Sequence, residues 1–149
     1  MSQADVLMTP EYWAAACAHL SKKDRVMKRI IPQFGDVCLV SRGDAFVTLA
    51  RSIVGQQISV KAAQAVWDRF AQLLPVLAPE HLLRLKVEDM RAAGLSARKV
   101  EYLVDLALHF DNGSLQPDTW HHLDDEAIIK QLVAIRGIGR WTAEMFLIF

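Results

Sequence analysis

A chain of 149 residues, 52% hydrophobic and 23% charged, is long enough to bury a core and too apolar to stay unfolded in water. Seventeen basic residues balance seventeen acidic ones, which argues against a protein that holds nucleic acid by bulk charge but leaves open one that grips phosphates with backbone N–H groups. No run reaches the roughly 18–20 apolar residues of a membrane span, and Met1-Ser-Gln-Ala-Asp5 lacks the basic and apolar segments of a secretion signal, so no membrane partner and a cytoplasmic (nucleoid) or nuclear location are expected.

The pattern reads as helix along the chain. Thr9-Pro10 resembles a cap followed by proline at the first helical position, with Tyr12, Trp13 and onward to Leu20 filling that helix. Cys17 and Cys38 form no CxxC and read as reduced thiols, at least one of them buried. Ser21 to Asp24 opens a second helix with Val26, Met27, Ile30 and Ile31 on one face, stopped by Pro32. Asp-Val-Cys-Leu-Val, between Gly35 and Arg42, is the one candidate strand. Asp44 caps a third helix whose Phe46, Val47, Leu49, Ala50, Ile53 and Val54 keep amphipathic spacing. Gly55 to Ile58 interrupts it, and Ser59 caps a helix from Val60 to about Leu74. Lys86 to Ala93 is a short helix closed by Gly94. Ser96 starts a long one with Val100, Leu103, Val104, Ala107 and Phe110 inward, ending at Asn112-Gly113. Asp124 or Asp125 begins another that runs to about Ile135. The fold class is therefore all-α.

The most informative stretch is Leu132-Val-Ala-Ile-Arg-Gly-Ile-Gly-Arg-Trp-Thr-Ala143. An apolar helix runs into Gly137-Ile138-Gly139, and a second apolar helix follows at once. Two glycines around one aliphatic residue permit a tight turn with positive φ and a close backbone approach, while Ile138 pins the turn between the helices. The N–H groups of Gly139 and Arg140 then open the second helix unpaired, an anion site reinforced by the helix dipole. The alternative is an αα-hairpin packed for stability alone. The string is no dinucleotide fingerprint, because Thr142 stands where a third glycine belongs and no strand precedes it.

Two further segments narrow the reading: Ala50-Arg-Ser-Ile-Val-Gly-Gln-Gln-Ile-Ser59 with Lys61-Ala-Ala63, and Ala93-Gly-Leu-Ser-Ala-Arg-Lys-Val-Glu-Tyr-Leu103 with Leu106-Ala107. With the hairpin, these resemble the 3-methyladenine DNA glycosylase II family of the helix-hairpin-helix glycosylases, in family order from about Phe46 to the end. The resemblance implies that fold, with a helical domain over 44–149, its hairpin at 132–143, and residues 1–43 belonging to a second lobe. It implies base-excision repair: a damaged nucleotide is turned out of double-stranded DNA and its N-glycosidic bond hydrolysed.

Residue by residue, the resemblance places DNA binding at Gln57, Gly137, Ile138, Gly139, Arg140 and Thr142. It places the base pocket at Trp141 and Gln56, where an indole face selects cationic methylated purines; Met145, one helical turn beyond Trp141, reads either as part of that pocket wall or as packing. The backbone carbonyls of Val133, Ile135 and Ile138 align with those holding a monovalent cation, Na+ or K+, with no other cofactor required. Bifunctional relatives carry a Schiff-base lysine where this chain has Trp141, so lyase chemistry is not expected. The family's catalytic aspartate falls after the second hairpin helix, past Phe149, so no catalytic residue is assigned within the chain. Met145-Phe-Leu-Ile-Phe149 carries no helix stop and reads as a severed helix, from which an inactive, self-associating fragment is expected. The rival readings are a non-catalytic hairpin module that only binds DNA and an all-helical protein-interaction domain.

Other signals are set aside. Asp124 and Asp125 precede the hairpin and look like a cap. Adjacent His121 and His122 belong to no metal-binding framework and read as a solvated loop. Lys22, Lys23, Arg25, Lys28 and Arg29, interleaved with Val26 and Ile30, read as a solvated helix face.

Overall fold

The computed structural model describes residues 9–35, 37–38 and 43–148. All regular structure among them is helical. The candidate strand lies outside the described residues except for Val37 and Cys38, which carry no regular structure. The chain divides into two compact units, one up to Gly43 and the other Asp44–Ile148.

The first unit holds α1 (Trp13–Lys23), α2 (Arg25–Ile30) and a 3-10 turn (Ile31–Phe34). Its boundaries differ from the sequence reading in two places. Ser21, Lys22 and Lys23 continue α1, and the break falls at Asp24, whose extended backbone lets its carboxylate accept from Val26 N at 2.7 Å and Met27 N at 2.8 Å. Thr9 does not cap α1: Tyr12 occupies the N-cap position with no side-chain bond, and the Thr9 hydroxyl donates to Cys38 Sγ at 3.2 Å. Neither cysteine is buried, against expectation, and both are free thiols. None of these helices contains a buried residue, and Tyr12 and Phe34 are 60% and 59% exposed.

The second unit is built on four side-chain caps. Asp44, Ser59, Ser96 and Asp124 each accept an N–H three residues on, fixing the starts of α3 (Ala45–Gly55), α4 (Val60–Ala71), α7 (Ala97–Asp111) and α8 (Asp125–Val133). Each cap stabilises its helix by roughly 1 kcal/mol. Between α4 and α7 lie two short helices, α5 (Pro79–Leu82) and α6 (Val87–Ala92), and α9 (Arg140–Ile148) closes the unit. Leu49, Ile53 and Val54 of α3 and Leu103, Leu106 and Ala107 of α7 are fully or almost fully buried and form the centre. Around them pack Phe70, Leu82, Met90, Leu132 and Ala143. Phe46 of α3 meets Phe110 of α7 edge to face at 5.4 Å. α8 and α9 are anchored by Trp120, which stacks edge-on against Phe146 at 5.6 Å and donates its indole N–H to Gln131 Oε1 at 2.9 Å. No described helix is long and apolar enough to cross a membrane.

Candidate nucleic-acid interface at the hairpin

α8 buries Ile128, Ile129 and Leu132 and ends at Val133, short of the expected Ile135. The turn then tightens through 3-10 type bonds, Ile135 N–H to the Leu132 carbonyl at 3.1 Å and Ile138 N–H to the Ile135 carbonyl at 3.2 Å. Ile138 is 4% exposed and holds the turn against the core as its spacing suggested. The two glycines have different jobs. Gly137 has φ +81°, and a β-carbon there would lie 2.2 Å from Cδ2 of Tyr102, so the ring of α7 packs directly under the turn. Gly139 has no positive φ, and a β-carbon there would meet nothing within 4 Å. Its bareness faces open space.

Ala143 N–H is the first in α9 to find a backbone acceptor outside the helix interior, the Gly139 carbonyl at 3.0 Å. Ahead of it, the N–H groups of Gly139, Arg140, Trp141 and Thr142 have no acceptor among the described residues. These are the orphan donors that any helix start presents, grouped here beside the open side of Gly139.

Arg140 brings little free charge to them. Its guanidinium is bound by both carboxylate oxygens of Glu126, one at 3.1 Å, and by Glu144 at 2.7 Å. Those hydrogen bonds, chiefly with Glu126, push the arginine pKa up, and the same bond holds the Glu126 carboxyl below its ordinary range. What Arg140 offers a phosphate is its backbone N–H. Trp141 is 72% exposed, so it is not a core residue. Met145, one turn further on, is half-buried.

The junction between α3 and α4 reaches the same turn. Gln56 Nε2 donates to the Gly137 carbonyl at 2.7 Å, across 81 positions of sequence. Gln57 is exposed and the one non-glycine among the described residues with positive φ, +58°. Lys99 Nζ caps the end of α3 through the Val54 carbonyl at 2.7 Å, and burial pushes its pKa down. Asp105 of α7 accepts the Arg136 N–H at 2.8 Å. The sequence reading gave no role to Tyr102, Asp105, Lys99 or Glu126. Only the Arg140–Glu144 spacing, one helical turn, was a local signal that the guanidinium has a partner.

The carbonyls expected to face a monovalent cation fit one in donor chemistry. Those of Val133 and Ile138 accept no hydrogen bond from a described residue, and that of Ile135 accepts a single one. Three neutral oxygens suit a hard cation such as Na+ or K+ rather than a transition metal. Asp124 caps α8 through Ala127 N at 2.8 Å, as its position suggested, whereas His121 and His122, expected in a loop, lie in a 3-10 turn.

The second unit is thus an all-helical domain with a glycine hairpin, its second helix opening on free amides. Residues 50–144 match the family described as HhH-GPD superfamily base excision DNA repair protein, and the chain belongs to that family. It is 34% identical over 138 residues to DNA-3-methyladenine glycosylase 1 of Schizosaccharomyces pombe, covering 88% of this chain and 60% of the relative. A putative DNA-3-methyladenine glycosylase of Bacillus subtilis is 29% identical over 139 residues, covering 88% and 48%. The chain thus spans about half to three-fifths of these curated relatives.

Among solved structures, the S. pombe 3-methyladenine DNA glycosylase in complex with abasic DNA superimposes with a TM-score of 0.78 at 33% identity, over 91% of this chain and 69% of that one. The DNA-3-methyladenine glycosidase of Bacillus halodurans gives 0.73 at 36%, over 86% and 64%. The fold is that of the helix-hairpin-helix DNA glycosylases.

Proposed function

We propose that this protein serves base-excision repair as a monofunctional DNA glycosylase, turning alkylated purines of the 3-methyladenine type out of double-stranded DNA and hydrolysing their N-glycosidic bond. The observation that carries the reading is the row of unpaired N–H groups from Gly139 to Thr142 beside open space, in a chain whose relatives bear that activity in their names. Such a row binds the phosphate backbone without reading sequence. A Na+ or K+ on the carbonyls of Val133, Ile135 and Ile138 would supply a positive charge next to that phosphate.

Gln57 is the junction residue presented to the duplex, and Trp141 with Met145 walls the base pocket. Gln56, with its amide nitrogen on the Gly137 carbonyl, keeps only its Oε1 for a base. An exposed indole attracts a cationic methylated purine by roughly 1–2 kcal/mol once water is excluded. Trp141 in place of a lysine leaves no Schiff-base route.

Asp105 holds a backbone N–H, Asp124 caps α8, and Glu126 and Glu144 bind Arg140, so these four carboxylates are given structural roles. The family resemblance puts the water-activating aspartate of this reading after the second hairpin helix. A cytoplasmic or nuclear setting and self-association through the exposed Tyr12 and Leu20 belong to the same proposal.

The test pairs binding with turnover. The 149-residue chain should bind an abasic-site duplex with salt-dependent affinity and release no base from methylated DNA. A polypeptide extended to include the aspartate should release 3-methyladenine. Absence of DNA binding by the folded chain at low salt would overturn the reading, and base release by residues 1–149 alone would overturn the placement of the catalytic group.

A further inference from the structure

We infer that Gln56 and Asp105 are positioning residues that clamp the hairpin turn at two points, and that their effect on DNA runs through the free amides of α9. The inference rests on the DNA-binding reading above and assigns two residues a role in it. Three hydrogen bonds carry it. Asp105 Oδ2 accepts the Arg136 N–H at 2.8 Å, Gln56 Nε2 donates to the Gly137 carbonyl at 2.7 Å, and the Ile138 N–H on that same peptide unit reaches the Ile135 carbonyl at 3.2 Å. The peptide joining Gly137 to Ile138 is thus satisfied at both its oxygen and its nitrogen.

In a continuous helix the Gly137 carbonyl would take the Trp141 N–H, four residues on. Here α9 opens only at Arg140, so the Trp141 N–H is free as at any helix start, and the Gly137 oxygen takes the Gln56 amide instead. The side chain thereby fixes the plane of the Gly137–Ile138 peptide through which the chain enters Gly139. Tyr102, packed under the Gly137 Cα, prevents the turn from relaxing toward α7. Asp105, on α7, holds the Ile135–Arg136 peptide two units earlier with its half-buried carboxylate.

A residue that touched DNA itself would behave differently from one that acts through the turn. The experiment is a double-mutant cycle on affinity for two duplexes, undamaged and abasic, using Gln56→Met, Asp105→Leu and Gly139→Val. Gln56→Met keeps length and removes the donor. It should weaken both duplexes equally, by roughly five- to tenfold, the worth of one lost hydrogen bond. Combined with Gly139→Val, which fills the space before the amides, it should add little further loss, because residues acting as one unit are not additive. Asp105→Leu should show the same pattern and stands in should Gln56→Met fail to fold. The Ile138 amide nitrogen resonance, which follows hydrogen bonding at the Gly137 carbonyl, should move in Gln56→Met. Additive losses, a loss confined to the abasic duplex, or an unmoved Ile138 resonance would overturn the inference. A wild-type chain that binds neither duplex would instead fail the functional reading on which it rests.

Discussion

Replacing Gly137 and Gly139 by alanine, one at a time, should separate stability from DNA binding within a single turn. At Gly137 the new β-carbon would sit 2.2, 2.5 and 2.7 Å from three carbons of the Tyr102 ring, at a φ of +81°. The left-handed conformation costs a non-glycine residue roughly 1–2 kcal/mol, and forcing an aromatic ring aside in a packed site roughly 1–3 kcal/mol more. The sum, about 2–5 kcal/mol, is a large part of a typical stability of about 5–15 kcal/mol, and at roughly 4 °C per kcal/mol it lowers Tm by about 8–20 °C. At Gly139 the same methyl group meets no atom within 4 Å and needs no unusual φ. Gly139→Ala should therefore melt at or slightly above the wild-type temperature, since a less flexible unfolded chain contributes roughly 0.4–1 kcal/mol. That methyl nonetheless stands where a phosphate would approach the amides, so affinity for any duplex should fall by about tenfold. Thermal melts and fluorescence anisotropy on both variants suffice. A Gly137→Ala protein as stable as wild type would refute the packing argument. A Gly139→Ala protein with full DNA affinity would refute the placement of the phosphate.

Trp141→Ala should leave Tm nearly unchanged, because the indole is 72% exposed. In a catalytically complete chain it should reduce excision of cationic methylated purines by roughly five- to thirtyfold, and that of neutral lesions much less, in a base-release assay with both substrates. Glu126→Gln should tighten duplex binding at low salt by freeing part of the Arg140 guanidinium, steepening the slope of log K against log salt by about 0.9 in a titration series. Because Glu126 titrates lower in the folded chain than in the unfolded one, the stability from its pair with Arg140 is present above the ordinary carboxylate range and fades as pH falls below it. Lys99→Met should cost about 1–3 kcal/mol by leaving the Val54 carbonyl without its charged donor, read from chemical denaturation.

The helix starts were legible because the cap is a local event: a side-chain oxygen at Asp44, Ser59, Ser96 or Asp124 meets an N–H three residues on. The same locality misled at Thr9-Pro10, where the hydroxyl found Cys38 instead. The short α5 and the 3-10 turn at Pro117–His122 each hold only about one or two turns, too few to show a period. In the hairpin, glycine and isoleucine announced the turn, but nothing local distinguished Gly137, crowded by Tyr102, from Gly139, which faces open space. The partners that set the turn, Gln56 and Asp105, lie 81 and 31 positions away. No periodicity links residues so far apart, so only the folded chain brings them together.

The bond from Gln56 to Gly137 also has a consequence in time. Gln56 leaves the ribosome 81 residues ahead of its acceptor, an interval of about 4–16 s at a synthesis rate of roughly 5–20 residues per second. A nascent chain that has made α3 to α7 already carries the helical scaffold, yet its hairpin turn does not exist until α8 and the start of α9 have emerged. The free amides from Gly139 to Thr142 therefore arrive together with closure of the domain.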